Sequence, residues 1–217
     1  MDLLPKLLNG LAFTILITLL SCVTAFVVSM IVGLARLSSW RAIRVAATAF
    51  VEVFRGSSAL VQIFFWFFIL PLVGITLGPI KTSVIALGIN GGAYGSEVVR
   101  AGILAVDRGQ REAAIAINMP YWLTMQRIIL PQAFLTMLPP FGNLAIELMK
   151  STSLVSFIGL TELTFAGRQI LQTEGIARRE ETYLISLLLY FALAYPITRT
   201  IRGFERRLSR GLQVGSL

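Results

Sequence analysis

Apolar runs long enough to cross a bilayer alternate along this chain with short polar stretches. Leu7 to Ala35 contains no charged residue and predicts a first membrane helix, since about 20 apolar residues suffice to span the hydrocarbon. Arg36, Arg41 and Arg44 follow, and then Val45 to Val51, which predicts a short interfacial helix broken around Arg55-Gly56. A second uncharged run extends from Gly56 to Ile80, with a bulky face of Phe64, Phe65, Trp66, Phe67 and Phe68. The third span begins after Lys81 and runs to about Ser96, rich in the small residues Gly88, Gly91, Gly92, Ala93 and Gly95. Small residues let membrane helices approach closely or line a path with bare backbone. A polar island fills Glu97 to Arg127. The fourth span is Ile128 to Ile146, opened by Pro131 and kinked at Pro139-Pro140, because proline removes a helix hydrogen bond. A mixed segment from Lys150 to Glu181 precedes a fifth span, Thr182 to Thr198, and a basic tail.

Composition sharpens this picture. The 217 residues are 56% hydrophobic and only 14% charged, with a mean hydropathy of +0.79. So few charges cannot cover so much apolar surface in water, which makes the chain an integral membrane protein. The net charge of +8 is carried by arginines at the ends of apolar runs, not interleaved with aromatics, so no nucleic-acid partner is expected. Histidine is absent and Cys22 is the only cysteine. No metal site, no His-based catalysis and no intrachain disulfide are therefore expected. The uncharged run after Lys6 is too long for the apolar part of a secretory signal.

Basic residues set the expected orientation. Arg36, Arg41, Arg44 and Arg55, the island's Arg100, Arg108, Arg111 and Arg127, and the tail's five arginines make thirteen on one side. Lys6, Lys81, Lys150, Arg168, Arg178 and Arg179 make six on the other. The excess puts the island and C-terminus in the cytoplasm and the N-terminus outside.

The island itself has a readable local structure. Asp107 can cap a helix that starts near Arg108-Gly109. Ala113, Ala114 and Ile117 then fall on one face, where small side chains would let a partner come close, with Glu112 beside them as a charge for a basic partner. Asn118 and Pro120 end that helix, because Asn tolerates left-handed geometry and Pro cannot continue the ladder. A second short helix from Trp122 leads to Pro131.

This spacing resembles the EAA motif of ATP-binding-cassette importer permeases: Glu112-Ala113-Ala114, three residues, a turn residue, nine residues, then Ile128, Leu130 and Pro131. Asn118 stands where the motif has glycine, and Asn is the residue that best replaces Gly in a left-handed turn. Three further segments resemble the polar amino-acid branch of that family. They are Phe54-Arg55-Gly56-Ser57-Ser58-Ala59-Leu60-Val61-Gln62, then Asn90-Gly91-Gly92-Ala93-Tyr94 with Glu97, Arg100 and Gly102, and Lys150-Ser151-Thr152-Ser153-Leu154. Ala59, Leu70-Pro71-Leu72 and Pro139-Pro140-Phe141-Gly142-Asn143 look most like ectoine and hydroxyectoine permease subunits.

The resemblance implies an all-α, polytopic membrane protein with five transmembrane helices and a cytoplasmic coupling helix. Residues 1–217 would form one transmembrane domain, with the coupling segment at about 100–130. It implies the permease subunit of an ATP-driven, binding-protein-dependent importer in the cell inner membrane, carrying polar amino acids or a zwitterion such as ectoine. The implied partners are a cytoplasmic ATPase, a second permease chain (identical or paralogous), an extracytoplasmic solute-binding protein and the bilayer. The chain itself is not expected to be an enzyme and binds no cofactor. It has no Gly-Lys pair and hence no phosphate-binding loop, so ATP would be bound by the partner subunit. Coupling residues would be Glu112, Ala113, Ala114, Ile117, Asn118, Leu130 and Pro131. The solute path would draw on Gln62, Asn90, Gly92, Tyr94, Asn143 and Glu147.

Plainer readings compete. An amphipathic linker would explain the island's composition, though not its spacing to Leu130-Pro131. Close packing and pore lining both select Gly91-Gly92. Glu147 could serve a structural ion pair or sit near the membrane surface, where a charge costs less. A Lys150-Ser151 hydrolase dyad has no second motif. A self-contained secondary transporter would need ionisable groups at mid-membrane and usually a repeated architecture.

The orientation is testable. In a Cys22→Ala background, a cysteine at position 210 should be labelled only from the cytoplasmic side and one at position 178 only from outside. Labelling of both from one side would break the odd span count between the termini.

Overall fold

A computed structural model describes residues 3–174 and 178–213, and among them every regular element is helical. Helix α1 is Leu3–Ala35, 33 residues and about 50 Å long. Helices α2 (Arg41–Gly56) and α3 (Ala59–Phe64) follow, and α3 continues through a wide turn at Phe65–Ile69 and a tight one at Leu70–Val73. Gly74, at φ 85, ends that segment. Helix α4 is Pro79–Leu104, α5 is Arg108–Ala116 and α6 is Tyr121–Thr124. A wide turn at Met125–Ile129 joins α6 to α7, Leu130–Ser151. Helix α8 is Leu163–Glu174 and α9 is Arg179–Gln213.

Three of these units are long and apolar enough to span a membrane: α1, Tyr121–Ile158 and Arg179–Phe204. A fourth appears if α2 and the segment Ala59–Val73, bent by 102° at their junction, count as one broken span. On that count the second span would begin within α2, the expected interfacial helix, and end at Val73 instead of Ile80. Helix α4 has 26 residues, enough for about 39 Å, but its composition keeps it off that set. It also runs on to Leu104, past the Ser96 boundary expected from hydropathy. Glu97 does not end the helix because Arg36 and Arg100 meet its charge in place.

Helix α4 is covered instead of apolar. Its buried positions include Thr82, Ser83, Gly88, Gly91, Gly92, Gly95 and Ser96. The facing seam of α1 has Ser21, Ala25, Ser29 and Gly33, all buried and each four residues from the last. Small residues at every fourth position bring two backbones together. A Cβ placed on Gly92 would lie 2.5 Å from Cβ and Cγ1 of Val28, and one on Gly88 2.6 Å from Thr24. Ser29 donates to Ala25 O at 2.6 Å and Gly92 O at 3.2 Å, so its hydroxyl is satisfied without water. By contrast, Leu19, Val23, Ile31, Leu187 and Phe191 stand exposed on α1 and α9, as lipid-facing positions should.

Pro131 does not open the fourth span. The helical unit is already running from Tyr121, through a wide turn at Met125–Ile129 in which Leu130 N bonds Met125 O, five residues back. Pro139 and Pro140 lie inside α7.

Helix α8 is anchored through a buried acid. Glu162 is fully buried. Its carboxylate accepts from Phe165 N at 2.7 Å, Thr164 N at 2.8 Å and the Tyr190 hydroxyl of α9 at 3.0 Å. Burial pushes its carboxyl above the ordinary range, while those donors pull it back. Leu163 N bonds Thr14 Oγ1 of α1 at 3.1 Å, so the start of α8 is tied to both α1 and α9.

The seam gives a direct test. Gly92→Leu should lower the thermal stability of the purified protein by about 1–3 kcal/mol, the usual cost of overpacking. A melting temperature equal to that of the unsubstituted protein would show that Gly92 faces open space.

Candidate functional site

Helix α5 stands between the ends of α4 and α6, stopped at both ends by side-chain and backbone chemistry. Asp107 accepts from Gly109 N at 2.7 Å, the N-cap expected from its position. Asn118 has φ 57 and is the only non-glycine with positive φ among the described residues. Around it Asn118 N bonds Ile115 O at 2.9 Å and Met119 N bonds Ala114 O at 2.9 Å, the paired bonds of a Schellman cap. Arg111 reaches back to donate to Ile103 O at 3.0 Å, which ties α5 to the last turn of α4.

The faces of α5 differ from the expectation. Ala114 is 1% exposed and packs into this chain. Ala113 and Glu112 are exposed, and Glu112 makes no ion pair among the described residues. Ile117 is 69% exposed, and so, at 71–74%, are Ile115, Tyr121 and Trp122. The outward apolar surface is therefore Ile115, Ile117, Tyr121 and Trp122, not the Ala113–Ala114–Ile117 face. The small size of Ala114, three residues from the anchored Arg111, was the available signal for an inward position. Leu130 and Pro131 lie in the first turn of α7.

The pathway candidates separate into three places. Gln62, Asn90 and Tyr94 meet at the elbow between α2 and α3. Gln62 is buried, and its Nε2 donates to Phe54 O and Ser57 Oγ, both at 2.8 Å. Its Oε1 is buried without a partner. Asn90 Nδ2 donates to the same Phe54 O at 3.1 Å, and the Tyr94 hydroxyl approaches Arg55 O at 3.5 Å. These groups satisfy the carbonyls that α2 leaves open where it stops. Gly92 lies apart, in the α1–α4 seam. Asn143 and Glu147 lie one turn apart on an exposed face of α7, with neither a hydrogen bond nor an ion pair among the described residues.

Sequence reasoning left out the charged group beside the elbow. Glu97 receives Arg36 at 2.6 Å, Arg100 at 2.9 Å and Arg55 at 3.5 Å. Arg55 also lies 5.1 Å over the Tyr94 ring. The signal was four charges at positions 36, 55, 97 and 100 within or beside apolar runs, each too expensive to be left alone there.

Residues 25–210 match the family described as binding-protein-dependent transport system inner membrane component. The chain is 37% identical over 206 residues to the L-cystine transport system permease protein TcyB of Bacillus subtilis, covering 95% of this chain and 88% of that one. It is 35% identical over 208 residues to the glutamine transport system permease protein GlnP of Escherichia coli K12, covering 94% of each. Among solved structures, an amino acid ABC transporter with histidines matches with a TM-score of 0.86 at 34% identity over 94% of each chain. The MetNI methionine ABC transporter shares the fold alone, with a TM-score of 0.74 at 17% identity over 92% of this chain and 96% of that one.

The left-handed stop of α5 sets a specific expectation. Asn118→Gly should leave thermal stability unchanged, whereas Asn118→Val should cost about 1–2 kcal/mol, because a branched side chain clashes in that conformation. Equal stability of the two variants would mean that the turn does not need its left-handed residue.

Proposed function

Because this chain belongs to the family of binding-protein-dependent transport system inner membrane components, we propose a division of labour within it: α5 is the handle that a separate ATPase grips, and the helices around α4 border the solute path. The chain is the permease subunit of an ATP-binding-cassette importer and is not itself the enzyme. That membership displaces the self-contained secondary transporter.

The observation that carries the proposal is exposed Glu112 on α5, a helix capped at both ends, with the exposed apolar residues Ile115 and Ile117 at its C-terminal end and Tyr121 and Trp122 following in α6. A short rigid helix with an apolar face and one acidic residue suits a pocket with a basic rim on a partner. Ala113 lies among these exposed residues, and Ala114 lets α5 sit close on its own chain. Asn118 and Pro131 then fix how α5 and α7 are joined.

The proposed membrane architecture has five spans: α1, the bent pair α2–α3, α4, the helix through α6 and α7, and α9. Length and burial support α4 as a span despite its polarity. The island and C-terminus are placed in the cytoplasm by the arginine excess. The proposed assembly adds a second permease chain, two ATPase subunits and an extracytoplasmic binding protein. The proposed cargo is a polar amino acid or a related zwitterion. Relatives named for cystine and glutamine give amino acids more weight than ectoine. In this scheme nucleotide binding draws the ATPases together, α5 moves with them, and the spans shift between two arrangements whose populations the ligands bias.

Glu112→Lys reverses a charge at the proposed contact without touching a span. Uptake should fall at least about tenfold, and the ATPase should be lost on purification, since a reversed interfacial charge costs several kcal/mol. The amount of permease in the membrane should not change. Wild-type uptake together with full ATPase recovery would sink the docking assignment.

A further inference from the structure

One carboxylate serves three guanidinium groups at the elbow of α2 and α3, and they are not held equally. Arg36 is 11% exposed at the side chain and donates to Glu97 Oε1 at 2.6 Å. Arg100 donates its Nε–H to Oε2 at 2.9 Å. Each oxygen of Glu97 thus has a close cation. Arg55 comes third: its NH1 lies 3.5 Å from Oε1, beyond a good hydrogen bond, and its side chain is 41% exposed. Among the described residues it donates no hydrogen bond, although a guanidinium has five N–H groups to place.

The position of Arg55 is nevertheless fixed. It occupies the last turn of α2, and the adjoining elbow is pinned by Gln62, Asn90 and Tyr94. Its guanidinium lies over the Tyr94 ring at 5.1 Å, which restrains the planar group while its edge stays free. Its neighbours Gly56, Ser57 and Ser58 are exposed, and a Cβ on Gly56 would meet nothing within 4 Å. The cluster carries two positive charges more than negative ones. An arginine with an exposed edge and unspent donors is open to an anionic partner.

We propose that Arg55 is the carboxylate receptor of the transported solute, with its free edge binding a carboxylate in the paired fashion that guanidinium geometry favours, and with Glu97 and Tyr94 as positioning residues. This rests on the permease reading above and narrows its cargo to solutes with a free carboxylate. Glu97 holds Arg55 at the elbow by charge but cannot saturate it, because Arg36 and Arg100 already occupy both of its oxygens. A carboxylate arriving at Arg55 completes the charge balance without displacing either bond.

The test uses the complete importer with its ATPase and binding protein in liposomes, and two readouts. The first is modification of Arg55 by phenylglyoxal, mapped by mass spectrometry, with excess glycine or glycinamide present. Glycine should protect Arg55 and glycinamide should not. The second is ATP-driven uptake of L-glutamine, L-arginine and L-cystine. Arg55→Gln should raise KM about tenfold or more for whichever of these is carried, with assembly unchanged, since a lost charge-assisted pair costs about that much. Arg55→Lys should recover part of the loss. Equal protection by glycine and glycinamide, no protection by either, or protection that depends only on anionic lipid overturns the proposal. So does a loss of uptake that merely follows loss of assembled protein. Protection by glycine with no uptake of the three amino acids would leave Arg55 standing and overturn the cargo class. Uptake of one of them with Arg55 unprotected would do the reverse.

Discussion

The close approach of α1 and α4 is the constraint on which the rest of this structure depends. Helix α4 has too many glycines, serines and charges to be stable alone against lipid. It is held because Ser21, Ala25, Ser29 and Gly33 of α1 offer a shallow groove, into which α4 fits with Gly88, Gly92 and Gly95. The apolar outer face of α1 then shields the pair from the bilayer. Without that seam there is no platform for the elbow of α2 and α3, because Asn90 and Tyr94, which pin it, are carried on α4. Leu144 and Leu148 of α7 close the same region, in one core with Ile17 of α1 and Ala86 and Leu87 of α4.

Two acids within the bundle show two ways of keeping charge away from lipid. None of the ion pairs among the described residues involves Glu162. It is neutralised by geometry, with backbone N–H groups at a helix start and a tyrosine hydroxyl converging on it. That arrangement is closed, and it fastens α8 to α1 and α9. Glu97 is handled by cations, and by more of them than it can bind. The first solution gives rigidity. The second leaves positive charge available near an exposed turn, which is why the proposed solute contact falls there and not at Glu162.

Much of this was legible in the sequence where one residue type has one physical use. Asp107 before a helix and Asn118 after it are such cases: few other residues cap an N-terminus or enter the left-handed region as readily. The first span was legible because an uncharged run of that length has little alternative. What was not legible depended on partners far away in the chain. Glu97 looked like the end of a span because its charge is visible in the sequence and Arg36, sixty-one positions earlier, is not visibly its partner. The seam on α1 was hidden because serine, alanine and glycine barely disturb a strongly apolar run, and only their four-residue spacing betrays them. Pro131 misled for a different reason. A proline usually marks a helix start, but the helical unit was already running from Tyr121. Ala114 was assigned outward because periodicity gives a face without saying which side of it is covered.

A chain of contacts links the two proposed functional regions. Arg111 on α5 holds the carbonyl of Ile103 on α4, and Glu97 lies less than two turns earlier on that helix. A displacement of α5 is therefore delivered to the helix that carries the charge cluster, through a hydrogen bond and a continuous stretch of backbone. Helix α4 is gripped by α1 along the seam, so it cannot yield locally as a flexible segment would. The member of the cluster held least tightly by Glu97 is Arg55, with one long contact to that carboxylate, the Tyr94 ring beneath its guanidinium and an exposed side chain. If α4 moves relative to the elbow, the 3.5 Å contact between Arg55 and Glu97 is the one that changes most easily, because the other two pairs are already short and tightly made. In the proposed scheme this arrangement would couple α5 to the most weakly held cation beside the last two turns of α4, and it needs no bond to break along the way.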